Sequence, residues 1–130
     1  MNDLQTKQDL CRLVDGFYQR VRADDLLAPI FAARIPAAHW PGHLDTITRF
    51  WAAAVLGQPA GYRGNPGARH LGLPIGARHF ARWLALFGQT VDELFAGDKA
   101  EEIKLRAARM GELFQLKIAL ARAGTSTPIL

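Results

Sequence analysis

The chain has 130 residues, 49% hydrophobic and 22% charged, a balance that suits one soluble globular domain with a real core. Its formal charge of +4 comes mostly from arginines scattered along the chain, without the polybasic run of a nucleic-acid or membrane-surface protein. A single cysteine, Cys11, excludes an internal disulfide and a cysteine zinc site, and no run of about twenty apolar residues is available to span a membrane. The opening residues, Met1 to Lys7, lack the apolar run of a signal peptide, so the expected location is the cytoplasm.

Residues from about Gln8 to Arg22 read as an amphipathic helix, with Leu10, Val14, Phe17, Tyr18 and Val21 on one face and Arg12, Asp15, Gln19 and Arg22 on the other. A shorter element follows Asp24-Asp25, and Pro29 is expected to limit it to a turn or two. Pro36 lies in a connection, and the next helix is expected to start near Pro41, since proline is tolerated in a first turn. That helix runs to Leu56, ends at Gly57, and turns His43, Ile47, Phe50, Trp51 and Ala54 inward. A long helix from about Ala77 to Phe95 carries Phe80, Trp83, Leu84, Phe87, Val91 and Leu94 along one face. The last, about Lys99 to Ala123, turns Ile103, Ala107, Met110, Phe114 and Leu120 inward. No alternating strand pattern appears, so the fold class is all-α. One domain spans 1–130, with an ordered core over about 8–123 and a flexible tail over about 125–130.

The stretch between the central helices is different. Gly64, Pro66, Gly67, Gly72, Pro74 and Gly76 break any regular element there. His70 stands among them, followed by Leu71, Leu73 and Ile75. Read alone, it is either a buried structural residue or a ligand. No Asp or Glu occurs between Asp45 and Asp92, while Arg49, Arg63, Arg69, Arg78 and Arg82 do, so an anionic partner near this stretch is plausible.

Four features line up along the chain. Phe17-Tyr18 lies on the first helix, and His43 precedes Phe50-Trp51 on a later one. Then come Tyr62-x-Gly64-x-Pro66-x-x-x-His70-Leu71-x-Leu73-Pro74 and Phe80-Ala81-Arg82-Trp83-Leu84. In this order and spacing the chain resembles the truncated globins (truncated haemoglobins of the globin superfamily), specifically group III, over roughly Leu10 to Gln115. The resemblance implies a two-over-two helical sandwich around a b-type haem (haem b, iron protoporphyrin IX). It makes His70 the proximal iron ligand and puts Tyr18, His43 and Trp83 on the ligand side. Phe17, Phe50 and Trp51 are then pocket aromatics. It also implies dioxygen as a ligand, with nitric oxide, carbon monoxide, cyanide or peroxide as others, and a reductase to restore ferrous iron.

The residue types suit those roles. Haem iron takes a neutral imidazole nitrogen, and the Tyr18 hydroxyl and Trp83 indole N–H are donors on apolar bodies. Two donors in a dry pocket predict tight oxygen binding with slow release. Phe31, Leu71, Leu73, Ile75, Phe80, Leu84, Met110 and Phe114 are candidates for the haem's apolar walls, and Arg63 and Arg69 for partners of its propionates. The rival histidine, His79, has no place in the motif and is assigned to a helix start or surface position. His39 is expected to face solvent.

The principal expectation is reversible ligand binding. An enzymatic version would oxidise nitric oxide to nitrate or reduce peroxide, but the absence of carboxylates around His70 argues against peroxidase chemistry. A non-haem nucleic-acid-binding module is the remote alternative, disfavoured by dispersed arginines and continuous apolar helix faces.

Overall fold

Thr6 opens the first helix with a reciprocal cap. Its hydroxyl accepts the Asp9 N–H at 3.1 Å, and the Asp9 carboxylate accepts the N–H groups of Thr6 and Gln5 at 3.0 and 2.9 Å. Donors that have no partner within a helical first turn are thereby satisfied. The computed structural model describes residues 1–58 and 75–123. Within them α1 spans Lys7–Ala23, α2 Ala28–Arg34, α3 Trp40–Leu56, α4 Ala77–Leu94 and α5 Asp98–Arg122, with a 3-10 turn at Ala37–His39. No strand occurs among the described residues. Helix α1 packs across α3 and α4, and α4 pairs with α5. This is the two-over-two sandwich.

An aromatic column holds the two layers together. Phe17 of α1 meets Trp83 and Phe87 of α4 edge to face at 5.2 and 5.1 Å. Phe87 in turn stacks on Trp51 of α3 at 5.6 Å and on Trp83 at 5.4 Å. Such ring pairs stabilise by about 0.5–1.5 kcal/mol beyond the area they bury. Gly57 ends α3 as expected: it takes the left-handed conformation at φ 64°, and the Gln58 N–H donates to Ala52 O at 3.1 Å.

Helix α2 is seven residues long, the turn or two expected, but Pro29 does not stop it: Pro29 sits in its first turn, where its missing N–H costs nothing. Two further expectations need correcting. Leu120 is 39% exposed, whereas Ile118 is buried. The inward face of α5 runs through Ile103, Ala107, Gly111, Phe114 and Ile118 in steps of three or four, and Leu120 lies off that line. The packed core also begins before residue 8. Leu4 is fully buried, and the Asp3 carboxylate accepts the N–H groups of Lys99 and Ala100 at 3.0 and 2.9 Å, capping α5 from the other end of the chain. Gly97, at φ 141°, makes room for it, since a Cβ there would lie 2.5 Å from Asp3 Cγ. The tail over 125–130 lies outside the described residues.

Asp24 joins the layers near Trp83. Its carboxylate accepts the N–H groups of Leu26 and Leu27 at 3.1 and 3.0 Å and the Arg82 Nε–H at 2.7 Å. Burial pushes this carboxyl up, but Arg82 and the two N–H groups outweigh it and hold it below the usual carboxylate range. A carboxyl depressed in the fold adds stability above its unfolded value, roughly 3.9, and loses it as pH falls through the folded value. Asp24→Asn is therefore expected to cost about 1–2 kcal/mol at neutral pH, the exposed Arg82 end being screened. In urea denaturation the gap from the parent should close as the pH approaches about 2. An equal gap at both pH values would mean that charge is not the cause.

Candidate functional site

The helices enclose a cavity of about 410 Å3, within the roughly 300–1,000 Å3 typical of ligand pockets. Leu27, Ile30, Phe31, Arg34 and Ile35 of the α2 region form one wall, and His43, Thr46, Ile47, Phe50 and Trp51 of α3 another. Tyr18 reaches in from α1. Ile75, His79, Phe80 and Trp83, with Met110, Gly111 and Phe114 of α5, complete the lining among the described residues. The half-buried state of Ile47 and Phe50 follows from this. Helix α3 has two inward faces: Thr48, Ala52 and Val55 pack into the protein, whereas His43, Ile47 and Phe50 look into the cavity.

Polar groups on this wall are few and ordered. Tyr18 is 6% exposed, and burial pushes its hydroxyl far above the usual phenol range, so it stays protonated. The neighbouring Trp83 indole, which can only donate, opposes that shift in part, and a phenol that stays protonated can donate to an acceptor in the cavity. The Thr46 hydroxyl donates to Gly42 O at 3.0 Å, which leaves its methyl as the apolar part of the wall. The His43 ring lies 5.7 Å from Tyr18 and 5.4 Å from Trp40, near perpendicular to both.

His79 occupies the first turn of α4, as expected, but it also lines the cavity. Its Nδ1 accepts the Gly76 N–H at 3.0 Å, which leaves the proton of the neutral ring on Nε2. Burial first, then the charges of Arg78 and Arg122, hold its pKa below the usual value. His39 is exposed, as expected.

Of the residues singled out in the sequence, Tyr18, His43 and Trp83 come together on one side of the cavity. Phe31, Phe50, Trp51, Ile75, Phe80, Met110 and Phe114 also line it. Two do not. Leu84, one residue past Trp83, turns toward α5, where a Cβ on Gly111 would meet its Cδ1 at 3.5 Å. Phe17 is 1% exposed and backs Tyr18 and Trp83 from within the core. His70, Leu71, Leu73, Arg63 and Arg69 lie outside the described residues.

The bacterial-like globin family matches residues 3–116. The chain belongs to that family. It is 32% identical over 112 residues to the group 3 truncated haemoglobin ctb of Campylobacter jejuni, a match spanning 84% of this chain and 87% of the relative. The crystal structure of the group III truncated haemoglobin from Campylobacter jejuni superposes with a TM-score of 0.82 and 30% identity, covering 91% of this chain and 95% of that one. The truncated oxygen-avid haemoglobin of Bacillus subtilis follows at a TM-score of 0.71 and 26% identity, covering 84% and 92%.

Membership of the truncated globins carries a haem-binding function, and the cavity suits that group. Its wall is mostly apolar and aromatic, while Arg34 and His79 offer donors to an anionic edge. Sequence reasoning missed Arg34, although it stands one turn after Phe31 on the same face of α2. It also missed Trp40, one turn before His43 and buried against it. No helix among the described residues is long and apolar enough to cross a membrane.

Proposed function

We propose that this globin holds a b-type haem in the cavity and binds dioxygen and other diatomic ligands reversibly on the side of Tyr18. The observation that carries this reading is the placement of Tyr18, with His43 and Trp83, on the wall of an otherwise apolar cavity: burial keeps the hydroxyl protonated, so it can donate to an acceptor there. When bound, haem would supply an iron that coordinates an imidazole nitrogen and a diatomic ligand. His70 is the proximal imidazole, an assignment that rests on the motif around it. Tyr18 would donate to the ligand, Trp83 would aim Tyr18 from beside it, and His43 stands with them as the third polar group. Phe31, Phe50, Phe80, Met110 and Phe114 line the cavity and would exclude water and pack against the haem. Arg34 and His79 are assigned to the haem carboxylates, His79 through its Nε2 proton; Arg63 and Arg69 remain further candidates.

No Asp or Glu occurs between Asp45 and Asp92, so no carboxylate near His70 in the sequence can strengthen that imidazole as a carboxylate partner does. This favours ligand binding over peroxide reduction. The test is a titration of the purified protein with hemin. A sharp Soret band that saturates at one hemin per chain is the expected result. If no band forms, or if uptake never saturates, the proposal fails.

A further inference from the structure

The His43 side of the cavity has a support that lies outside its lining. Trp40 opens α3 one turn before His43 and is 4% exposed, yet it is not among the residues that face the cavity. Its ring meets His43 at 5.4 Å and 90°, Tyr18 at 5.8 Å and Phe31 at 6.2 Å. From α1 the Arg22 guanidinium lies over the Trp40 ring at 4.5 Å, a cation–π contact on the solvent side of the cluster. Trp40 is thus held by α1, by α2 and by the guanidinium, while His43 sits on a helix turn with Tyr18 and Trp40 both perpendicular to its ring. An outward swing of His43 would break both edge-to-face contacts and open one side of Trp40 to water. A rigid neighbour of this kind sets the population of a rotamer without touching the ligand.

We infer that Trp40, capped by Arg22, is a positioning residue that holds the His43 ring over the cavity and so governs how readily a diatomic ligand enters. The inference rests on the proposed haem site and gives that site a gate with a named stop. Weakening the stop shifts His43 outward, and a ligand then enters faster. The effect must pass through His43. Trp40 is not a catalytic residue, and removing the imidazole must remove its influence.

The experiment is a double-mutant cycle on the haem-loaded ferrous protein, with carbon monoxide association followed after flash photolysis. Trp40→Leu should speed association by about threefold to tenfold, the range that loss of an edge-to-face aromatic pair allows. In a His43→Leu background the same change should do nothing. Arg22→Gln, at an exposed position that cannot disturb the core, should speed association by about twofold with the same dependence on His43. In the diamagnetic carbonyl form, exchange broadening of the His43 ring resonances should grow in Trp40→Leu and in Arg22→Gln. Equal acceleration with and without the imidazole, or no change in rate and ring exchange in either variant, overturns the inference. A protein that takes up no hemin overturns the haem site itself, which the Soret titration registers separately.

Discussion

Replacing His70 with alanine is expected to abolish stable haem retention, whereas His79→Ala should keep the Soret band and only weaken the hold. The two histidines are the rivals for the proximal position, and the geometry of His79 speaks against it. A neutral imidazole ligates metal through its unprotonated nitrogen. In His79 that nitrogen is Nδ1, and it already accepts the Gly76 N–H at the start of α4. To ligate through Nε2 the ring would have to move its proton to Nδ1 and leave Gly76 without its cap, a cost of about 1 kcal/mol. Donation from Nε2 to a haem carboxylate keeps the cap intact. Gel filtration of hemin-loaded variants checks the pair: His70→Ala should lose its colour on the column, and His79→Ala should retain it. The reverse result would reassign the proximal ligand and remove the role given to His79.

The helices were legible because each buries a stripe at helical spacing. Gly57 and the proline near the start of α3 are local signals that need no tertiary knowledge. Pro29 was misread because a proline inside a short apolar run looks like a stop, and only the turn built on the Asp24 carboxylate shows that the helix begins there. Leu120 and Ile118 illustrate a different limit. Both are apolar and two residues apart, and which one faces in depends on the phase that a 25-residue helix has accumulated by its end. The interior role of Asp3 was invisible, since its partners are the N–H groups of Lys99 and Ala100, nearly the whole chain away. At the site, Tyr18, His43 and Trp83 could be picked out by residue type and spacing. That Phe17 backs both Tyr18 and Trp83 could not, because it depends on how α1 crosses α4. His79 on the cavity wall and Trp40 behind His43 were missed for the same reason.

That crossing leads to the second large effect. Tyr18→Phe is expected to speed dioxygen release by about tenfold, equivalent to about 1.4 kcal/mol and to the loss of one hydrogen bond to a partly charged acceptor. Phenylalanine keeps the ring contacts with Phe17, Phe31, Trp40 and His43, so the cluster should survive and the change isolates the hydroxyl. Trp83→Phe tests how that hydroxyl is aimed. If the neighbouring indole N–H holds Tyr18 Oη, its removal lets the hydroxyl rotate away from the cavity, and release should quicken by a smaller factor. If Trp83 works through Tyr18, the double variant should release dioxygen no faster than Tyr18→Phe alone. Stopped-flow displacement of dioxygen by carbon monoxide reads all three rates. An unchanged rate in Tyr18→Phe would make the tyrosine a structural residue of the cluster. Multiplying effects in the double variant would mean that the tryptophan meets the ligand directly.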